Sequence, residues 1–426
     1  MLCSHNQAAR LWKPRPCCTV SAGLGSQKKT TMSRFILVVG AWALALAQLA
    51  SAQPTGNSIV GWGNNQFGQG DVPPPNDGFV AVAGGINHTL GLKADGSIFA
   101  WGGNGGGQLD VPAPNGGYLA VAAGNVHSLG LKDDGSIAAW GSNNYGQCNV
   151  PEPNADFVAV AAGAGGYFSL ALRMDGSITA WGQNNFGQCD VPAPNTGFVA
   201  VAGGGLHGLG LKADGSVVAW GANSHGQCVV PAPNTGFVAV AAGAAHNLGL
   251  KADGSVVSWG SNDMGQCDVP TPNAGFVAVA TGGYHSLGLK ADGSIVAWGW
   301  NNNGQSSVPL PNTGFVAVAA SVYRSLAMKP VAPPMAPGNV TAVRIAKLTA
   351  RVDWTDNSYD EDGFSIERQR RVGSTWAETT AFVAGPNVTT YTNVVTTKAR
   401  YRYRVIAFNA SGMSAWSNWA EVDLKN

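Results

Sequence analysis

A sequence repeat constrains the fold of this chain more than any other feature. The dipeptide Trp-Gly recurs at a nearly constant interval, at Trp62, Trp101, Trp140, Trp181, Trp220, Trp259 and Trp298. A second marker, an aromatic residue that opens an alternating aliphatic run, also recurs seven times, at Phe79, Tyr118, Phe157, Phe198, Phe237, Phe276 and Phe315. Recurrence at a period of about 40 residues predicts an array of similar units.

Each unit is predicted to contain three short strands. In the fourth copy, residues 198–202, 207–212 and 216–220 alternate larger apolar residues with smaller ones or are rich in β-branched residues. Asp214-Gly215 separates the second strand from the third, and such a pair supplies the positive φ of a tight hairpin. Residues 228–230 are a weaker extended segment. No stretch shows the 3.6-residue period of a helix.

The ends of the array predict how it closes. Antiparallel units of this size can be arranged radially as the blades of a β-propeller, which buries their faces and leaves few open edges. The last copy stops at Met328-Lys329, before its Asp-Gly turn and Trp-Gly strand, whereas residues 58–62 are a Trp-Gly strand with no preceding copy. The predicted fold is therefore all-β, a seven-bladed propeller at 53–330 closed by its N-terminal strand.

The repeats resemble those of a known family. The sequence Val217-Val-Ala-Trp-Gly-Ala-Asn-Ser-His-Gly-Gln227 and the segment from Ala241 to His246-Asn-Leu are similar to repeats of the regulator of chromosome condensation (RCC1) family. With the Val-Pro that follows, they look closest to the branch of β-lactamase-inhibitor protein II. The resemblance covers about 58–329 and implies the propeller fold, whereas one fold hosts many activities.

The remaining segments are predicted to be a leader, a linker and a second domain. Residues 32–52 have a short basic start, an apolar run from Phe35 to Ala50 and the small-residue sequence Ala50-Ser51-Ala52, the pattern of a cleaved signal peptide, and 1–31 are interpreted as an upstream extension. Residues 331–337 form a Pro-rich linker. Residues 338–426 contain alternating segments and resemble a fibronectin type III domain, a β-sandwich with Tyr401 in the tyrosine-corner position.

Comparison of the units with one another locates a candidate binding surface. Residues 193–231 and 232–270 agree at 30 of 39 positions, and eight of the nine differences fall at 203–208 or 222–229. In an antiparallel unit, these two loops emerge at the same end, opposite the Asp-Gly turn. The candidate partner-binding residues on these variable loops are Phe67, Tyr145, Tyr167, Phe168, Phe186, His225, Met264, Tyr284, Trp300, Tyr323 and Arg324.

The candidate residues are predicted to form two groups. Tyr284, Trp300, Tyr323, Arg324 and Phe67 belong to the last two units, and Tyr145, Tyr167, Phe168 and Phe186 to the second and third. The third unit also contains a two-residue insertion near Gly165-Gly166. Aromatic and arginine side chains contribute most of the energy of many interfaces, which favours a protein partner. The alternative interpretation is that these rings pack between units.

Other recurring polar residues are interpreted as structural. An Asn and a Gln recur in all seven loops, which is typical of loop-capping hydrogen bonds. A His begins the second strand in five units, at His88, His127, His207, His246 and His285, and the expected spacing of about 10 Å between sheets rules out a shared metal. Cys148, Cys189, Cys228 and Cys267 share one repeat position and are expected to be small buried thiols, although disulfide or metal bonding stays open.

The residues predict a binding function without catalysis, cofactor or metal. No nucleophile-base pair or carboxylate pair stands out in the propeller, and the chain after residue 52 has 19 basic against 24 acidic residues, which argues against nucleic-acid binding. We expect a secreted monomer without a membrane span that recognises a protein, in one version an extracellular enzyme such as a β-lactamase. The alternative is glycan or cell-wall binding. The RCC1 resemblance also implies guanine-nucleotide exchange, which the export signal and acidic propeller oppose.

Overall fold

The structure, a computed structural model, describes four stretches of the chain: 56–331, 334–357, 361–409 and 412–425. All regular elements in these stretches are β-strands. None of the described residues forms a helix that could cross a membrane. The predicted signal peptide at 32–52 and the predicted extension at 1–31 lie outside the described residues, as does part of the linker.

Residues 57–330 form three strands per repeat. The first strands are β2 (Phe79–Gly84), β5 (Tyr118–Ala123), β8 (Phe157–Ala162), β11 (Phe198–Gly203), β14 (Phe237–Ala242), β17 (Phe276–Thr281) and β20 (Ala317–Ala320). The second strands are β3 (His88–Lys93), β6 (His127–Lys132), β9 (Phe168–Arg173), β12 (His207–Lys212), β15 (His246–Lys251), β18 (His285–Lys290) and β21 (Arg324–Pro330). The third strands are β1 (Asn57–Gly63), β4 (Ile98–Gly102), β7 (Ile137–Gly141), β10 (Ile178–Gly182), β13 (Val217–Gly221), β16 (Val256–Gly260) and β19 (Ile295–Gly299).

Each unit is an antiparallel sheet in the order first, second, third strand. In the fourth unit β12 pairs with β11 on one side and with β13 on the other, with His207 opposite Gly221 and Leu211 opposite Val217. The three predicted strands agree with the observed ones to within one residue at each end. The structure has no strand at the predicted extended segment 228–230, where the backbone N–H of Cys228 donates to the side chain of Asn223 within a turn.

The N-terminal strand β1 lies beside the last second strand, β21. The two strands pair antiparallel over seven residue pairs, from Asn57 opposite Pro330 to Gly63 opposite Arg324. The sheet then continues as β20-β21-β1-β2-β3-β4, with one pair joining β1 to β2. Strand β1 therefore occupies the position of a third strand in the last repeat.

The core lies between consecutive units rather than inside any one of them. Leu209, Leu211 and Val217 of the fourth unit pack against Phe237 and Trp259 of the fifth, and equivalent clusters join the other neighbours. Burying one such side chain stabilises a fold by about 1.5–3 kcal/mol. A lone unit would expose these faces, so the repeats must associate to be stable.

The last unit packs against the first in the same way. Ile59, Leu326 and Met328 form one buried cluster with Phe79 and Trp101. The first strands of all seven units line a cavity of about 320 Å³, whose side chains are Val, Ala, Leu and Met apart from Thr281.

The C-terminal residues form two further sheets. β22 (Gly338–Ala346), β23 (Thr349–Thr355) and β26 (Thr390–Val394) form one, and β24 (Gly363–Val372), β25 (Thr375–Ala384), β27 (Arg400–Asn409), β28 (Gly412–Met413) and β29 (Ala420–Asp423) form the other. Between them lies a core that includes Trp354, Phe364 and Tyr403. The hydroxyl of Tyr401 donates to Thr397 O at 2.7 Å, the contact of a tyrosine corner.

Candidate functional site

The two variable loops of each unit lie at one end of the sheets, which we call the loop face. In the fourth unit the backbone N–H of Ala222, after the third strand, donates to Leu206 O, before the second strand, at 2.9 Å. In the sixth unit Trp300 N donates to Tyr284 O in the same way at 2.9 Å. The Asp-Gly turn lies at the opposite end of each unit, so the variable positions share one surface.

The recurring Asn and Gln residues hold the loop after each third strand, as the sequence predicted. Asn223 Oδ1 accepts from the N–H of Cys228 at 2.9 Å, and Gln227 Oε1 accepts from the N–H of His225 at 2.8 Å. Equivalent bonds occur in the other six units. One residue per unit is thus presented at a fixed loop tip, at Phe67, Gly106, Tyr145, Phe186, His225, Met264 and Asn303.

The side chains at these tips are exposed. Phe67, Tyr145, Phe186 and Met264 are each about half exposed, and His225 is exposed as well. Exposed apolar side chains that adjoin one another mark interaction sites, whereas single ones are ordinary on a protein surface. Five of the eleven predicted partner-binding residues therefore lie on one surface, on tips whose backbone is already fixed.

A cluster of three rings joins the last two units. The rings of Tyr284 and Trp300 contact edge to face with centroids 5.8 Å apart, and those of Trp300 and Tyr323 with centroids 5.6 Å apart. Tyr284 is 38% exposed, and the other two side chains are half buried. We call these residues the tryptophan cluster. Phe67, which the sequence placed in the same group, lies beside Gly103 of the first unit, and no ring contact among the described residues joins it to the cluster.

A smaller contact joins the second and third units. The rings of Tyr145 and Tyr167 lie 5.0 Å apart, and both side chains reach solvent. We call these two residues the tyrosine pair. Phe186 is on the same face, but no ring contact among the described residues links it to the pair.

Phe168 and Arg324 are wrong as exposed partner-binding residues. Both side chains are completely buried. Each begins a second strand, at the position that a His occupies in the other five units, and this position points between neighbouring units. Sequence comparison marked these residues because they differ from the repeat, but the difference adjusts the contact between two units.

The histidines at this position link each unit to the next. His127 Nε2 lies 3.1 Å from Ser169 Oγ. Because that hydroxyl donates to Gln147 O, the imidazole Nε2–H is the donor to Ser169. The linked pairs are His88–Ser128, His127–Ser169, His207–Asn247, His246–Ser286 and His285–Ser325.

The third and fourth units meet at this position without such a hydrogen bond. Phe168 takes the place of the His in the third unit, and the corresponding residue of the fourth unit is Gly208, where the other units have Ser, Thr or Asn. An apolar ring therefore faces a position with no polar side chain, and no buried hydroxyl is left without its donor.

Burial determines the protonation of these histidines. It lowers the pKa of His88, His246 and His285 to about 3 and that of His127 to about 4. The pKa of His207 is also lowered by burial. The five imidazoles are therefore neutral at physiological pH. The described residues contain no group of three or more His, Cys, Asp or Glu side chains arranged to hold a metal ion.

The four cysteines of the propeller are unpaired and half buried. Cys148 Sγ lies 3.4 Å from Ser142 O, and the other three thiols contact the equivalent carbonyls at 3.2–3.3 Å. Burial raises the pKa of Cys148 and Cys228 to about 11, so these thiols are poor nucleophiles.

The sequence analysis did not predict two structural contacts. The last Asn of each Pro-x-Pro-Asn segment mimics a strand: Asn234 Oδ1 accepts from Val217 N and its Nδ2 donates to Val217 O, both at 2.8 Å. The Gly165 loop, which carries the two-residue insertion, reaches Val322 of the last unit, whose Cγ2 would lie 3.1 Å from a Cβ at Gly165. Recurrence of the Asn was visible in the sequence, whereas nothing in the sequence indicated which unit the insertion would touch.

The loop face has little free charge. Its loops contain no exposed Lys or Arg, since Arg324 is buried. The carboxylates of Asp71, Asp110, Asp190 and Asp268 accept from the loop asparagines at 2.8–2.9 Å. The exposed chemistry is therefore aromatic rings, amides and hydroxyls.

Comparison with known proteins identifies the repeat. The family model described as "Regulator of chromosome condensation (RCC1) repeat" matches six stretches, 79–108, 119–147, 157–188, 198–227, 237–266 and 276–305. No curated protein matches the chain by sequence.

Solved structures with the same fold include Prp20p from Saccharomyces cerevisiae, with a TM-score of 0.55 and 20% identity over 66% of this chain and 93% of that chain. Yeast RCC1 (Prp20), in its structure with bound Kap60, has a TM-score of 0.54 and 18% identity over 76% of this chain and 97% of that chain. Human WBSCR16 has a TM-score of 0.51 and 19% identity over 64% of this chain and 98% of that chain. The repeats of this chain thus form an RCC1-like propeller.

Proposed function

We propose that this RCC1-like propeller is an exported, non-enzymatic protein that binds a partner protein through its loop face. One observation carries the proposal: exposed aromatic and apolar side chains are presented on hydrogen-bonded loop tips of neighbouring units. Fixed loops lose little conformational entropy when they bind, so these side chains are pre-organised for an interface. The tryptophan cluster and the tyrosine pair would be its two anchors.

The solved structures with a similar fold support a protein partner. The structure of yeast Prp20p was presented with its binding to Gsp1p and histones, and Kap60 binds the same protein. At these identities the likeness shows the fold alone, so the identity of the partner does not transfer to this chain. The resemblance to β-lactamase-inhibitor protein II favours an extracellular enzyme as the partner.

We propose further that the chain forms a closed ring of seven blades followed by a fibronectin type III domain at 338–426. Pairing of β1 with β21 and packing of Ile59 against Phe79 support the closure. The two C-terminal sheets and the bond from Tyr401 to Thr397 support the second domain. Such a domain would act as a spacer or as a second contact.

Replacing Trp300 by Ala should weaken partner binding by at least 30-fold, the loss expected for an interface hot spot of about 2 kcal/mol or more. The variant removes the ring that contacts both Tyr284 and Tyr323. The measurement is capture of proteins from secreted and envelope fractions by residues 53–426, followed by titration of the captured protein.

Met174→Ala is the control, because Met174 is an exposed apolar side chain that lies beside the Asp-Gly turn at the opposite end. It should bind as the unchanged protein does. Equal affinity of the Trp300→Ala and Met174→Ala variants would contradict the assignment of the loop face. Retention of polysaccharide in place of protein would contradict the protein partner.

Partner affinity should change by less than about threefold between 50 and 500 mM NaCl. Binding that depends on surface charge weakens with salt, and this face has no exposed cation and few free carboxylates. Isothermal titration at both salt concentrations measures the effect. A tenfold loss of affinity at high salt would show that charged residues elsewhere carry the interface.

Glycan binding is the second candidate function, and the chemistry of the loop face favours it. Uncharged amides and hydroxyls beside half-exposed rings are suited to sugar hydroxyls and to stacking on a pyranose ring. A glycan array probed with the unchanged protein and with the Trp300→Ala variant tests this candidate, because a glycan that binds the first and not the second would support sugar recognition by this ring, whereas no bound glycan would exclude it.

A further inference from the structure

The contact between the last unit and the first differs from every other contact in the propeller. Arg324 replaces the His of the repeat and crosses to the first unit, where its Nη2 donates to His88 O and to Thr89 Oγ1. The side chain is completely buried. A guanidinium carries five N–H donors, and Nε and Nη1 of Arg324 have no partner in the protein.

Among the described residues, no ion pair joins a carboxylate to this buried cation. His88, whose pKa the charge of Arg324 helps to lower, is neutral. Burial lowers the pKa of Arg324 to about 9, which leaves it charged at neutral pH. Burying an unpaired charge is costly unless an ion of opposite charge accompanies it.

A second orphaned donor lies beside the guanidinium. Ser321 is buried, and its hydroxyl has no partner in the protein. The other six units have Gly at this position, because a Cβ there would lie within 2.6 Å of the ring of the His or Phe that begins the second strand. Arg324 points elsewhere, so the last unit has room for a serine.

Gly84 of the first unit packs closely against both groups. A Cβ added to Gly84 would lie 3.0 Å from Ser321 Cβ and 3.4 Å from Arg324 Nη2. Four other units have Ala at this position, so the backbone there accepts a side chain. Three departures from the repeat, at residues 84, 321 and 324, therefore meet in one place.

We propose that Arg324, Ser321 and Gly84 form a binding site for a small monovalent anion, of which chloride is the abundant example, at the contact between the last and first units. The anion accepts from the free N–H groups of the guanidinium and from the Ser321 hydroxyl, and it neutralises the buried charge. Because the folded contact creates the site, binding stabilises the association of the two ends of the propeller.

The test compares thermal unfolding of residues 53–426 in sodium chloride and in sodium gluconate at equal ionic strength, since gluconate is too large for a buried site. Chloride at about tenfold above its dissociation constant should raise the midpoint by about 2–4 °C. The matched control is the double variant Arg324→His with Ser321→Gly, which restores the pair found in five other units. Its midpoint should be the same in both salts.

Two further measurements keep the proposal falsifiable if the double variant does not fold. Gly84→Ala adds a Cβ that crowds Ser321 and Arg324 and should reduce the chloride effect at least threefold, and bromide-soaked crystals of the unchanged protein should show an anomalous peak beside Arg324. Any one of three outcomes would overturn the site. These are equal chloride effects in the unchanged protein and the variants, no chloride effect on the unchanged protein, and no bromide peak at Arg324.

Discussion

Deleting residues 57–63 is expected to lower the thermal midpoint of the propeller by about 10–20 °C. The deletion removes strand β1, its seven residue pairs with β21, and the buried side chain of Ile59. It also uncovers Leu326 and Met328, which pack against Ile59 and Phe79. Exposure of these groups should cost about 5 kcal/mol or more, and a domain of this size loses a few degrees per kcal/mol. Differential scanning calorimetry measures the shift.

A protein that begins at Gly56 is the matched control, because it lacks the same leader but keeps β1. It should melt as residues 53–426 do. A synthetic peptide of residues 56–64 added to the deletion variant should restore most of the lost midpoint, since the strand binds through contacts that need no covalent link. Equal midpoints for the deletion variant and the control would show that β1 does not close the propeller.

Acidification should unfold the propeller between pH 6.5 and 4.5. Burial lowers the pKa of five histidines in the folded state, whereas an unfolded histidine has a pKa of about 6.5. The unfolded state therefore binds more protons below pH 6.5, and folding stability falls as the pH falls towards the folded pKa values. Each histidine contributes up to about 1.4 kcal/mol per pH unit, so the four whose folded pKa is about 3 or 4 can remove most of an ordinary stability of about 5–15 kcal/mol within two units.

Urea unfolding at pH 7.5, 6.5, 5.5 and 4.5 measures this dependence. The chain supplies its own control variant: His127→Phe with Ser169→Gly copies the pair Phe168 and Gly208 of the third and fourth units. This variant should flatten the dependence by up to about 1.4 kcal/mol per pH unit. A flat profile in the unchanged protein would show that the histidines are protonated without loss of the fold.

The chosen pH window separates the histidines from the turn carboxylates. Asp95 and its equivalents have a lowered pKa because the following Ser hydroxyl donates to the carboxylate. Their contribution to stability is present above their ordinary pKa of 3.8 and is lost only as the pH falls further. Loss of stability between pH 6.5 and 4.5 is therefore assigned to the histidines.

The strands, the turns and the loop face could be predicted from the sequence because each depends on local patterns. Alternation along a short segment predicts a strand, and Asp-Gly predicts a hairpin, wherever the segment lies in the fold. Comparison of the seven copies then separated the invariant loop residues, such as Asn223 and Gln227, from the tips. The exposure of Phe67, Tyr145, Phe186, His225 and Met264 followed from this comparison.

The burial of Phe168 and Arg324 could not be predicted in this way. A variable position in a repeat is variable either because it faces a partner or because it faces a differing neighbour, and the pattern is the same in both cases. Whether such a residue is buried depends on a neighbour that lies at least one whole repeat away along the chain. That neighbour is Gly208 for Phe168 and Thr89 for Arg324. Only the packing of one unit against the next shows which residues meet.

Taken by itself, the sequence determined the period, the three strands of each unit and the end of the sheets that carries the variable loops, because hydrogen bonding within a hairpin depends on neighbouring residues. The tertiary structure alone decided which loop residues touch, as in Trp300 with Tyr323 and Gly165 with Val322. It also decided that the charge of Arg324 is buried without a carboxylate. Contacts between units depend on how similar sheets are placed against one another, and no single repeat contains that information.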